Sequence, residues 1–224
     1  MKVIFRNFLR NKMVNLSATS IRHFLPEIEI HCLTLFKKNM SDYDNQEPLH
    51  DYIIEHVSQT KYVSGIDVHD STEYGTTSGF ANPCNGIYFT EGFNLIHKLF
   101  KDSSEPILIL GEDHYFSSGQ TLRELVNTDG QWDVAYGDWD SWGEHLRANG
   151  SILAIVPNKV SHLFPLQEIG GSVEDQVGEF LLKYILENRL HKLSTRAALW
   201  YGNDGSYTNS SEEMISELKK VGIL

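Results

Sequence analysis

Ile107-Leu108-Ile109-Leu110-Gly111-Glu112-Asp113-His114 decides how this chain is read. Four branched apolar residues run together without polar alternation, the pattern of a strand covered on both faces in a parallel sheet. The run then ends abruptly in two carboxylates and an imidazole. Ligands of open α/β sheets gather outside the carboxyl ends of the strands. Glu112, Asp113 and His114 are therefore expected at the rim of a cleft, where a carboxylate cluster can seat a divalent cation carrying a phosphorylated ligand. Taken alone, the segment reads equally well as a solvated turn, since Ser117, Ser118 and Gly119 follow it.

Working outward toward the N-terminus, Val3 to Phe5 reads as a first strand ending at Arg6 and Asn7. Val14, Ala18, Ile21 and Leu25 have helical spacing within Met13 to Leu25, and Pro26 stops that helix. Ile28 to Phe36 is the next strand, so the chain opens β-α-β and favours a parallel sheet. Lys37 to Glu47 is a polar loop. Leu49, Ile53 and Val57 mark a second helix, and Tyr62 to Asp67 a third strand. The turn-rich passage from Asp70 to Pro83 is longer than an ordinary connection, and such loops are often functional. It leads into a helix whose Phe89, Phe93, Ile96 and Phe100 form a core-facing stripe.

Toward the C-terminus, a short helix is expected at Leu122 to Val126 and a strand at Asp133 to Tyr136. That strand runs into Asp138-Trp139-Asp140. Ser151 to Val156 is a further strand, closed by Pro157. Gly170-Gly171-Ser172 announces a helix with Glu174 and Asp175 in its first turn. Leu193 to Tyr201 reads as a last strand, and Ser210 or Ser211 as the cap of a final amphipathic helix.

The length of 224 residues suits one domain, and 41% hydrophobic residues suffice for a core. Lys and Arg number 19 against 30 Asp and Glu, a net charge of −11. That balance argues against a nucleic-acid surface, which needs basic side chains for phosphate contacts. It leaves a nucleotide possible, because a bound cation screens a diphosphate locally. Cys32 and Cys84 are the only cysteines, too few for a disulfide framework or a cysteine-rich zinc site. No apolar stretch reaches the length of a membrane span, and the first residues lack a signal-peptide core, so a cytoplasmic protein without a transmembrane segment is expected. Phosphate-binding Gly-x-x-x-x-Gly-Lys and strand-linked Gly-x-Gly-x-x-Gly motifs are absent, which lowers the case for P-loop enzymes and dehydrogenases.

The order of parts resembles the GT-A fold of nucleotide-sugar-dependent glycosyltransferases. Four features carry the resemblance: the β-α-β opening, the loop-to-helix passage before the central strand, the acidic end Glu112-Asp113-His114, and the Glu174-Asp175 pair opening a helix. It implies an α/β, Rossmann-like architecture, a mixed but mostly parallel central sheet flanked by helices. The whole chain, 1–224, would form a single domain with a nucleotide-binding half (1–115) and an acceptor or catalytic half (116–224).

The activity implied is transfer of a sugar from a nucleoside-diphosphate sugar, a UDP-sugar in the leading reading, to a hydroxyl of a glycan or small-molecule acceptor. Asp113, supported by Glu112 and His114, would bind Mn2+ or Mg2+. Glu174 or Asp175 would be the base toward the acceptor. Arg6, Asn7 and Asp67 lie at strand ends where nucleotide is recognised, and Asn82, Glu112 and Asp138 join them as donor-side candidates. The family's usual Asp-x-Asp is here Glu-Asp-His. Imidazole suits manganese or zinc better than magnesium; alternatively Asp113 alone holds the metal, or the enzyme needs none. Asp138-Trp139-Asp140 is a second, less favoured candidate, and His191 a late ligand. The competing readings are a non-catalytic nucleotide- or glycan-binding protein that keeps this fold, and a nucleotidyltransferase, to which Arg6, Asn7 and Arg10 are a poor match.

Overall fold

A computed structural model describes residues 1–7, 10–34, 47–57, 83–136, 139–142, 145–148, 152–166, 190–192, 205–207 and 210–224. The opening is β-α-β: strand β1 (Lys2–Asn7), helix α1 (Asn11–Phe24) and strand β2 (Glu29–Thr34). Strand β3 (Ile53–Val57) follows, then helix α2 (Pro83–Phe100) and strand β4 (Ile107–Gly111). Next come β5 (His114–Phe116), α3 (Gln120–Asn127), β6 (Val134–Tyr136), β7 (Trp139–Trp142), β8 (His145–Ala148) and β9 (Ile152–Ile155). The remaining elements are α4 (Pro157–Val160), β10 (Leu190–Lys192), β11 (Gly205–Tyr207) and α5 (Ser211–Lys220).

Among the described residues, seven strands form one mixed sheet in the order β10-β6-β9-β4-β1-β2-β3. The pairs β1–β2, β1–β4, β2–β3 and β6–β10 are parallel. Within it, β9 alone runs against its neighbours, β4 and β6. The expected mixed, mostly parallel sheet flanked by helices is what forms.

Strand β4 shows why. Its alternate side chains go to opposite faces, as strand geometry requires. Leu108 and Leu110 join Val3, Phe5, Val14, Ala18, Leu122 and Trp132 under α1 and α3. Ile107 and Ile109 join Ile4, Phe93, Ile96 and Leu153 under α2. All four are fully buried, and burying each such side chain stabilises the fold by roughly 1.5–3 kcal/mol. The stripe expected on α2 is core where its side chains are described, with Phe93 and Ile96 buried and Phe100 packed beside them.

The helix expected from Leu49, Ile53 and Val57 is instead strand β3, paired in register with β2 from Ile30↔Ile53 to Thr34↔Val57. A spacing of four is even, so it also places residues on one face of a strand, and the β-branched pair Ile53-Ile54 favours extension. Ile53 is buried, whereas Val57 is 45% exposed. The strand expected at Tyr62 to Asp67, the helix expected after Ser172 and the strand expected at Leu193 to Tyr201 lie outside the described residues. The last helix forms as expected: Ser210 caps α5 by accepting a hydrogen bond from the Glu213 amide at 3.2 Å.

The two ends of the sheet differ. At the amino ends charges are paired off: Lys2 Nζ stands 2.6 Å from Glu29 Oε2 and 3.5 Å from Glu105 Oε2. His31 bridges Glu29 Oε1 at 2.6 Å and His56 Nε2 at 2.9 Å. At the carboxyl ends the chain gathers Arg6, Asn7, Glu112 and Asp113. Among the described residues no helix is long and apolar enough to cross a membrane.

Candidate functional site

The chain leaves the main sheet at Gly111, turns through Glu112 and Asp113, and enters β5, which pairs antiparallel with β11. Parallel pairing sets Arg6 of β1 opposite Gly111, and Asn7 opposite Thr34 of β2. Arg6, Asn7, Glu112, Asp113 and His114 are therefore brought to one edge, as their places at strand ends imply. Asp67, Asn82, Asp138, Glu174 and Asp175 lie outside the described residues.

The two adjacent carboxyls have opposite electrostatics. Glu112 is buried, and burial pushes its carboxyl up to about 7; the negative charge of Asp113 adds to this, while Arg10 and Arg6 pull the other way. Asp113 is 21% exposed. Burial raises it too, but the neighbouring imidazole of His114, whose Nδ1 lies 2.8 Å from Asp113 Oδ1, outweighs that, and Arg10 helps hold it below the usual range. Near neutral pH the turn thus carries one firmly ionised carboxylate and one carboxyl able to keep a proton. Environments that push paired carboxyls apart in this way assign them different tasks.

Gly111 leaves room for this arrangement. A Cβ there would lie 2.6 Å from Asp113 Oδ1 and 3.3 Å from His114 Nδ1. The missing side chain is the space into which the Asp113 carboxylate folds to meet His114.

Asn7 is fully buried and serves the β1–α1 connection. Its Oδ1 accepts from the Arg10 amide at 2.9 Å, and its Nδ2 donates to Asn11 Oδ1 at 2.7 Å. Beside it the Cys32 thiol is buried and pushed up to about 12, unsuited to nucleophilic work.

Among the described residues no three His, Cys, Asp or Glu side chains stand close enough to share a metal ion. Glu112, Asp113 and His114 do not close a metal cage by themselves, because Asp113 and His114 face each other and Glu112 is turned into the protein. Asp113 still fits a cation as a single ligand: it is ionised, partly exposed and at a strand end. His191 stands elsewhere. It pairs with Ala135, which is level with Ala154 and so with Leu108, and β6 and β9 separate its strand from β4. Three strand spacings, about 14 Å, separate its backbone from β4. Asp140 falls within β7, paired with Arg147 of β8.

Sequence reading assigned no part in this turn to two contributors. Arg10, four residues beyond Arg6, acts on both carboxyls. Ser17 on α1 hydrogen-bonds the carbonyl oxygens of Glu112 and His114. Its sequence signal is slight: two serines, Ser17 and Ser20, three apart on one helix face.

No protein-family model matches the chain, and no curated protein matches it. Solved structures do. The galactosyltransferase LgtC, in complex with donor and acceptor sugar analogs, superposes with a TM-score of 0.56 at 11% identity, over 99% of this chain and 96% of that one. An active-site mutant of LgtC gives the same TM-score of 0.56 and identity of 11%, over 98% and 96%. The 4-diphosphocytidyl-2C-methyl-D-erythritol synthase from Anaerococcus prevotii gives 0.50 at 10% identity, over 98% and 97%. The described sheet order, with one antiparallel strand beside the central β4, and these near full-length superpositions identify the fold of this chain as GT-A-like.

Proposed function

We propose that the chain is a glycosyltransferase that takes a sugar from a nucleoside-diphosphate donor, a UDP-sugar in the first instance, and passes it to a hydroxyl of a glycan or small-molecule acceptor. One observation carries this reading most: an ionised, partly exposed Asp113 on the turn leaving a fully buried central strand, beside Arg6 and Arg10 at the carboxyl edge of a GT-A-like sheet.

In this reading the donor's diphosphate lies across the carboxyl ends of β1 and β4. Arg6 and Arg10 contribute positive potential there, and fixed charges aimed at a developing negative charge stabilise it with little reorganisation. Asn7 holds the turn that carries Arg10. Asp113 would hold Mn2+ or Mg2+, with its other ligands drawn from outside the described residues. When bound, such a cation neutralises charge on the departing diphosphate. Glu112 keeps a proton near neutrality, which limits the negative charge crowded against the donor phosphates. Glu174 or Asp175 is proposed as base toward the acceptor hydroxyl, and Asp67, Asn82 and Asp138 as donor contacts.

Thermal unfolding with a panel of nucleoside diphosphates, each with and without Mn2+, tests the reading. A ligand present at a hundred times its dissociation constant adds about 2.7 kcal/mol, and each kcal/mol moves the midpoint of a domain of this size by about 2–4 °C. A metal-dependent shift of several degrees for UDP, lost in Asp113→Ala with the unliganded midpoint kept, is the expected result. A shift that survives Asp113→Ala would remove the site assignment, and no shift with any nucleotide would remove the donor reading.

A nucleotidyltransferase is the second reading. The likeness to the Anaerococcus prevotii synthase favours it, although Arg6, Asn7 and Arg10 match the Gly- and Arg/Lys-rich phosphate loop of such enzymes poorly. Product analysis separates the two: release of nucleoside diphosphate marks sugar transfer, and release of pyrophosphate from a nucleoside triphosphate marks nucleotidyl transfer.

A further inference from the structure

Ser17 lies fully buried midway along α1, on the side facing the turn between β4 and β5. Its Oγ is 3.3 Å from the carbonyl oxygen of Glu112 and also hydrogen-bonds the carbonyl oxygen of His114. One O–H is shared between the two acceptors that bracket Asp113. Three residues on, Ser20 Oγ donates to the Ser17 carbonyl at 2.7 Å and accepts from the Phe116 amide at 3.1 Å.

The chain has just stepped out of the main sheet at Gly111, so the ladder to β1 no longer fixes its backbone. Buried carbonyls need partners. The amides of a helix interior are already used in its own ladder, so a side-chain hydroxyl is what α1 can offer. Serine hydroxyls within helices commonly turn back on their own backbone; that of Ser17 crosses to another segment.

The helix is a firm base from which to do this. Asn15 is buried and uses its whole amide on the segment before β3, donating to Glu47 Oε1 at 3.2 Å and the Pro48 carbonyl at 2.9 Å, and accepting from the His50 amide at 2.9 Å. On another face Met13 packs against Met214 and Leu218 of α5 and against Tyr115 of β5.

We propose that Ser17 is a positioning residue of the donor site, its hydroxyl fixing the carbonyls on either side of Asp113 and so setting where that carboxylate stands. The proposal rests on the reading of this turn as the donor site. Two measurements on the full chain test it together: amide hydrogen exchange across residues 112–116, and calorimetric affinity for UDP in the presence of Mn2+. Ser17→Ala is expected to speed exchange at the turn at least tenfold and weaken UDP binding at least tenfold, with protection of α5 unchanged. Ser17→Thr, which keeps the hydroxyl, is expected to restore affinity to within threefold of the parent. Should the alanine variant not fold, Ser17→Cys keeps the volume, offers only a weak S–H donor, and carries the same expected loss. Parent-like exchange at the turn in Ser17→Ala, or a loosened turn with parent-like affinity, overturns the proposal. If the parent chain binds no nucleotide at all, the donor reading fails, while the exchange measurement still decides whether Ser17 holds the turn.

Discussion

Glu112 gives the turn a signature in the pH dependence of stability. Its carboxyl is raised from an ordinary 4.5 to about 7 in the folded chain. Between those values the folded state binds the proton more tightly than the unfolded state, so stability falls as pH rises through the window and stays reduced above it. Glu112→Gln removes the charge and keeps the shape. It is expected to stabilise the chain by about 1–3 kcal/mol at pH 8 and to change little at pH 4.5, read as the difference in urea midpoints at the two values. An equal effect at both would contradict a buried, proton-holding carboxyl. At this scale the sequence was half legible. The acidic cluster announced itself because it interrupts an apolar run, whereas the division of labour between Glu112 and Asp113 depends on burial and on Arg6 and Arg10 folding alongside. Ser17 was invisible for a related reason: its partners lie 95 and 97 residues away.

Among elements, those with a strong local pattern were readable and those decided by neighbours were not. Helix α1 follows its apolar spacing and ends next to Pro26, and α5 begins at a serine cap; both signals are local. Strand β3 was misread because Leu49, Ile53 and Val57 satisfy a helix and a strand alike, and its pairing with β2 decides between them. The start of α3 shows a local requirement of another kind. Gly119 precedes it at φ +63°, and a Cβ there would meet the Phe24 ring at 2.4 Å. Gly119→Ala is expected to cost about 1–3 kcal/mol, combining left-handed strain with overlap against a ring that itself packs on the core. Denaturant unfolding measures it, and a loss below about half a kcal/mol would show that Phe24 gives way freely.

Across the whole molecule, the parallel half of the sheet was legible because β-α-β order constrains topology strongly. The reversed strand β9, the pairing of β5 with β11 and the seat of α5 on α1 were not, since each joins segments far apart in sequence. Leu218 is fully buried in that contact, clustered with Met13, Tyr115 and Met214. Leu218→Ala is expected to cost about 2–5 kcal/mol. Because the same cluster contains Tyr115, faster hydrogen exchange at β5 is expected to accompany the loss; parent-like exchange there would show that α5 stabilises the fold without bracing the turn.

The register of β11 sets Tyr207 opposite His114, so the strand that pairs with β5 is made much later in synthesis. Chains emerge from the ribosome N-terminal end first, and structure forms in that order where it can. The strands β1, β2 and β4 can pair while synthesis continues, but a nascent chain that stops short of residue 205 leaves β5 without its partner. Pairing of β5 therefore waits for residues made late, and a chain released before them would carry the main sheet with β5 lacking β11.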